Sequence, residues 1–142
     1  MQGDSPTILL VEDDEVNQKV MRAMLERLGY VPDLITNGLE VIETVENQHY
    51  DIILVDIMMP DIDSIELTKA IRGNWPPDEQ PYIIAITSLD LIYSIKFCIN
   101  AGIDDCLCKP FSREELKIAI CKSRAVHEQN RYSECLDPQS AQ

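Results

Sequence analysis

The chain has 142 residues, 45% of them hydrophobic and 26% charged, with a formal net charge of −13. That is the size of one domain, long enough to bury a core without disulfides or a structural metal. So negative a chain is a poor binder of nucleic-acid backbones, which require basic patches.

The opening M-Q-G-D-S-P-T lacks the basic start and long apolar stretch of a secretory leader, and no run approaches a membrane-spanning length. Five cysteines, at 98, 106, 108, 121 and 135, follow no repeated spacing. A cytoplasmic protein with reduced thiols is expected.

Residues 1–6 read as a disordered N-terminal segment, ahead of a first strand, T-I-L-L-V, at 7–11. In the first helix Val16, Val20, Met24 and Leu28 recur at four-residue spacing, with Met21 and Leu25 beside them and Gly29 as a left-handed stop. V-P-D-L-I at 31–35 is the second strand, and N-G-L-E then opens a second helix with Val41, Ile42 and Val45 inward. D-I-I-L-V at 51–55 is the third strand. Asp63 suits the N-cap of a third helix whose inward residues are Ile65, Leu67 and Ile71, ended by G-N-W-P-P.

Y-I-I-A-I at 82–86 is the fourth strand, and a fourth helix is predicted from about Leu89 to Asn100, closed by Gly102. D-D-C-L-C at 104–108 is the fifth strand. S-R-E-E at 112–115 forms a capping box for the fifth helix, with Leu116, Ile120 and Val126 on its apolar side. The domain is expected to span 7–126, with a polar tail, 127–142, that frays. No internal repeat and no second domain is visible.

Five β–α units in strict alternation imply a parallel sheet with helices on both faces. Ligands in such folds bind beyond the carboxyl ends of the strands. Glu12, Asp13 and Asp14 follow the first run, Asp56 ends the third, Thr87 the fourth and Lys109 the fifth. Carboxylates, a hydroxyl and an ammonium thus converge on one rim from four strand ends. Crowded carboxylates raise one another's pKa unless a cation joins them, and an oxygen-rich set with open positions suits Mg²⁺. With the cluster neutralised, a phosphoryl group would meet Asp56 while Lys109 and Thr87 faced its other oxygens.

Plainer readings exist for each part: Asp14 as an N-cap, Thr87 as a cap of the fourth helix, Lys109 as a solvated lysine. The joint pattern favours a site. The C-x-C of Cys106 and Cys108 reads as a metal or redox pair, or as small buried hydrophobes. Zinc requires four ligands, and neither His49 nor His127 stands at a visible spacing to them. An ordinary phosphate-processing enzyme is disfavoured, because no G-x-x-x-x-G-K-[ST] loop and no D-x-D-x-T occurs.

The stretches I-L-L-V-E-D-D at 8–14, D-I-I-L-V-D-I-M-M-P-D-I-D at 51–63, I-A-I-T-S at 84–88 and D-D-C-L-C-K-P-F at 104–111 carry a resemblance. Over residues 7 to about 126 the chain resembles the receiver domain of two-component response regulators, most of all receivers of hybrid sensor histidine kinases. The resemblance implies a (βα)5 flavodoxin-like fold with strand order 2-1-3-4-5. It implies a phosphoacceptor at Asp56, with Mg²⁺ or Mn²⁺ held by Glu12, Asp13, Asp56 and the Met58 carbonyl. Thr87 and Lys109 would contact the phosphoryl group, and Lys109–Pro110 is a candidate cis bond.

The implied donor is a phosphohistidine on a histidine kinase or a histidine phosphotransfer protein, docking near the first helix. A regulated partner would bind the surface formed by helix four, strand five and helix five. Neither nucleic acid nor membrane insertion is implied, and the only catalysis would be the domain's own phosphorylation and dephosphorylation. The location would be cytoplasmic, either alone or as the receiver of a membrane-bound hybrid kinase. The alternative is a degenerate receiver, a protein-binding scaffold without phosphorylation.

Three departures from the family stand out. Ser64 replaces a usual glycine and is expected to alter the turn into the third helix. Ser88 and Leu89 follow Thr87, and Leu89 with Met58 is expected to hinder water and prolong the phosphoryl group. Cys106 stands where the family has an aromatic switch residue. That predicts weak coupling to the surface above, unless Tyr93 or Phe97 substitutes.

Overall fold

A computed structural model describes residues 6–57, 63–88, 96 and 98–135, with side chains described as far as 126. Strands β1 (Ile8–Val11), β2 (Asp33–Ile35), β3 (Ile52–Asp56), β4 (Tyr82–Thr87) and β5 (Asp105–Cys108) form one sheet in the order β2-β1-β3-β4-β5. All four pairings are parallel. The strand order agrees with the one implied by the family resemblance.

Alternate residues feed two cores, as the two-residue period of a strand requires. Leu9, Val11, Ile53, Val55, Ile83 and Ala85 face α2 (Leu39–Asn47), α3 (Ser64–Arg72), Cys98 and Ala101. Ile8, Leu10, Ile52, Leu54, Ile84 and Ile86 face α1 (Glu15–Arg27) and the C-terminal helix (Arg113–Cys135). With both faces covered, β1, β3 and β4 are buried along their whole length, which explains their unbroken apolar runs.

The local signals act as the sequence suggests. The Asp14 carboxylate accepts from the Asn17 amide at 2.9 Å and starts α1. Asp63 accepts from the amides of Ile65 and Glu66 and starts α3. Ser112 and Glu115 cap each other's amides at 2.9 and 3.0 Å. Gly29 and Gly102 adopt φ of +96° and +86°, the left-handed region that glycine enters without a Cβ penalty.

Three local readings change. On α1 the buried stripe is Met21 and Leu25, with Met24 and Leu28 half-buried, whereas Val16 and Val20 are 67% and 51% exposed. The sheet contacts only one narrow face of this helix, so the apolar band is wider than the core needs. On α3, Leu67 and Ile71 stand four residues apart and take the inward face, leaving Ile65, about 200° round the helix from Leu67, exposed. The C-terminal helix runs on to Cys135, beyond the expected boundary at 126. Of the predicted fourth helix, residue 96 and residues 98–100 are helical, and the rest lies outside the described residues.

Arg72, ending α3, ties three segments together. Its guanidinium donates to the carbonyls of Pro81 at 2.8 Å and Gly102 at 2.7 Å, and to Asp104 Oδ2 at 2.8 Å. The same Asp104 oxygen accepts from the Ile83 amide at 2.8 Å, so one guanidinium holds the lower ends of β4 and β5 together.

Candidate functional site

Register builds the rim. Val11 pairs with Val55, which sets the next residues, Glu12 and Asp56, level on neighbouring strands. Asp56 pairs with Ile86, so Thr87 stands one step beyond it, and Thr87 pairs with Cys108 immediately before Lys109.

Glu12 is fully buried and held at three points. Its amide donates to the Ile35 carbonyl at 3.0 Å, its carbonyl accepts from Gln18 Nε2 at 2.8 Å, and its Oε2 accepts from the Asp14 amide at 3.2 Å. The other carboxylate oxygen, Oε1, is buried without a hydrogen-bond partner. Asp56 is 4% exposed, and its Oδ2 meets Lys109 Nζ at 3.2 Å. Thr87 is fully buried, and its carbonyl accepts from the Lys109 amide at 2.7 Å, which fixes the lysine backbone against β4. The Lys109–Pro110 peptide is cis.

The electrostatics follow from burial. The Glu12 carboxyl is pushed up to about 7, first by loss of solvent and then by the facing Asp56 carboxyl; Lys109 and the Asp14 amide pull the other way. The sequence drew attention to repulsion between carboxylates, yet desolvation is the larger cause. A buried carboxyl raised in this way, with one oxygen unpartnered, suits a cation with oxygen preference. Glu12 and Asp56 therefore fit a divalent metal by their chemistry.

Asp13 is exposed, and among the described residues no three Asp, Glu, His or Cys side chains form a metal-holding group by themselves. Such a set matches Mg²⁺, which retains several waters, better than a metal caged by protein alone. Met58 and Leu89, with the masking of the phosphoryl group predicted for them, lie outside the described residues, as do Tyr93 and Phe97. Ser64 is buried as the first residue of α3, where its carbonyl accepts from the Thr68 hydroxyl at 2.8 Å. Cys106 and Cys108 are only half-buried, with buried Leu107 between them, so the expectation of small buried groups holds in part.

Two features escaped the sequence reading. Gln18 holds the Glu12 carbonyl, and a groove of about 430 Å³, lined by Asn17, Val20, Met21, Met24, Pro110 and Phe111, adjoins Lys109. The surplus apolar position Val20 was the available signal for the groove. Nothing in the sequence singled out Gln18.

The chain matches the response regulator receiver domain over residues 8–121. It belongs to that family. The receiver is 33% identical over 138 residues to the aerobic respiration control sensor protein ArcB of Escherichia coli, covering 91% of this chain and 18% of that protein. It is 35% identical over 125 residues to hybrid signal transduction histidine kinase B of Dictyostelium discoideum, covering 81% of this chain and 6% of that protein. The receiver thus spans a small fraction of the length of these curated relatives.

Among solved structures, it resembles the receiver domain of sensor histidine kinase PA1611 from Pseudomonas aeruginosa PAO1. Identity is 42% and the TM-score 0.69, over 80% of this chain and 92% of that one. The PA1611 domain has a magnesium ion coordinated in its active-site cleft. A receiver domain of this family is a two-component signalling module. No helix among the described residues is long and apolar enough to cross a membrane.

Proposed function

We propose that this receiver accepts a phosphoryl group from a phosphohistidine onto Asp56 and relays or switches a two-component signal. The observation that carries the reading is Asp56 Oδ2 set 3.2 Å from Lys109 Nζ, beside the unpartnered Oε1 of buried Glu12. An Asp56 oxygen attacks phosphorus, the P–N bond breaks, and the electron pair leaves on the donor's imidazole nitrogen. The transition state is loose, so what the chain supplies is position and charge. Lys109 compensates the phosphoryl charge, and the Thr87 hydroxyl donates to a phosphoryl oxygen.

Glu12 and Asp56, with Asp13 and the Met58 carbonyl as further donors, are the residues that would hold Mg²⁺ or Mn²⁺. The metal, when bound, neutralises the carboxylates and draws the incoming phosphoryl oxygens toward them. The donor is a histidine kinase or a histidine phosphotransfer protein, in solution or within a hybrid kinase. Exposed Val20, in the groove with Met24 and Phe111, offers it an apolar landing next to Lys109.

Incubation with Mg²⁺ and acetyl phosphate should yield a hydroxylamine-labile phosphoryl adduct that is lost in Asp56→Asn. No adduct on the wild type, or an undiminished one on the variant, would refute the reading and leave a scaffold without phosphoryl chemistry.

A further inference from the structure

A cavity of about 320 Å³ opens at the end of the sheet opposite the rim, walled by Arg72, Pro77, Pro81, Tyr82, Asp104 and Val126. Tyr82 begins β4 and Thr87 ends it, so roughly 16 Å of strand separates the cavity from the phosphoacceptor site. Its size is that of a small-molecule site, with apolar walls and a few polar groups.

Two of those polar groups are unspent. Tyr82 is 7% exposed, in the core cluster with Ile84 and Leu116, yet its hydroxyl has no hydrogen-bond partner among the described residues and faces this cavity. A buried phenol ordinarily finds such a partner. Asp104 takes the Arg72 guanidinium and the Ile83 amide on one oxygen, Oδ2, each at 2.8 Å, which leaves Oδ1 open.

The neighbouring charges are already engaged. Asp105 accepts from the Cys106 amide at 2.8 Å through Oδ1 and meets Lys122 Nζ at 3.7 Å through Oδ2. Arg72 Nε donates to the Gly102 carbonyl at 3.1 Å, one terminal nitrogen to Gln80 Oε1 at 3.1 Å and to Pro81, and the other to Gly102 and Asp104. A guanidinium has no further N–H to give. An anion entering the cavity would therefore find no free cationic donor, whereas a cation would find two oxygen acceptors. Burial and the negative field of Asp105 and Asp104 push the Tyr82 phenol up to about 12, and the same field attracts a positive ligand.

We propose that this cavity binds a small organic ammonium ion, a primary amine carried on a compact apolar body. The ammonium donates to Asp104 Oδ1 and to the Tyr82 hydroxyl oxygen, and the apolar body lies against Pro77, Pro81 and Val126. Val126 belongs to the C-terminal helix and lies beyond residue 121, where the match to the receiver family ends. A bound amine thus bridges that helix and the base of β4. Asp56 takes no part, so this site and the phosphoryl reading stand or fall separately.

The test is a titration of the full ¹⁵N-labelled chain with benzylamine at about pH 7, where an alkylamine is protonated, followed by amide chemical shifts. Shifts should centre on Tyr82, Gly102, Asp104 and Val126 and saturate with a Kd on the order of 1 mM, as suits so small a ligand. Benzyl alcohol, close in shape but uncharged, should bind about tenfold or more weakly, and benzoate should leave these amides unmoved. Tyr82→Phe keeps the ring and removes the hydroxyl, and should weaken benzylamine about fivefold. Val126→Trp, on the half-exposed wall, should fill the cavity and abolish the shifts. No saturable shift with benzylamine, equal binding of benzyl alcohol or benzoate, shifts centred on the groove beside Lys109, or undiminished binding in either variant would overturn the proposal.

Discussion

Replacing Glu12 by Gln tests the electrostatic core of the site in the metal-free protein. The Glu12 carboxyl is raised from 4.5 to about 7, so folding favours its protonated form. Its contribution to stability is therefore complete below about pH 4.5 and is lost as pH rises through about 7. A shift of that size corresponds to about 3 kcal/mol at most, because part of it comes from the facing Asp56 carboxyl rather than from burial alone. The amide introduced by Glu12→Gln cannot ionise and can still accept from the Asp14 N–H. Urea unfolding in EDTA at about pH 5 and about pH 8, read by circular dichroism, gives the pH dependence of each protein.

Wild type should lose about 2–3 kcal/mol more than Glu12→Gln between the two pH values. Saturating Mg²⁺ should close most of that gap, since a ligand at about 100 times its Kd contributes roughly 2.7 kcal/mol. Parallel pH curves for the two proteins would refute the assignment of a buried, proton-linked carboxyl to Glu12. An equal response of both to Mg²⁺ would refute its role in holding the cation.

Four further outcomes are expected. Lys109→Ala should slow acetyl phosphate labelling of Asp56 by about tenfold or more, with retained far-ultraviolet dichroism, because the ammonium 3.2 Å from Oδ2 has gone; unchanged labelling would exclude lysine assistance. Val20→Asp should weaken transfer from a phosphohistidine donor by about tenfold while leaving acetyl phosphate labelling unchanged, since only the former needs the exposed groove; equal loss from both donors would place Val20 in the site rather than in docking. Arg72→Ala should reduce unfolding free energy by about 2 kcal/mol, measured by urea titration, because the carbonyls of Pro81 and Gly102 and the Asp104 carboxylate lose a shared donor; a loss under about 0.5 kcal/mol would show that water replaces it freely. Phosphorylation should shift few amide resonances on the surface of β5 and the C-terminal helix, because half-buried Cys106 lacks an aromatic volume to swing inward; large shifts across that surface would contradict weak coupling.

Much of the architecture was legible because its signals are local. Unbroken Ile, Leu and Val runs identify β1, β3 and β4 as doubly covered strands, and Asp14, Asp63 and the Ser112–Glu115 box start helices through bonds to amides two or three residues away. Strand ends in a parallel sheet share a rim, so Glu12, Asp56, Thr87 and Lys109 could be nominated from position alone. The strand order itself followed from family resemblance, since alternation does not distinguish one doubly wound order from another.

What the sequence by itself determined is the set of strands, caps and rim residues, because each depends on its neighbours in the chain. Only tertiary structure decided which parts of those sets face inward. Val16 and Val20 match the helical period as well as Met21 and Leu25 do, but the sheet covers one side of α1 and leaves them to solvent. Asp13 and Glu12 are adjacent carboxylates, yet only Glu12 is drawn under the rim, held by Ile35, Gln18 and the Asp14 amide. The Arg72 tie joins Pro81, Gly102 and Asp104, residues brought together by packing, which no spacing in the chain encodes.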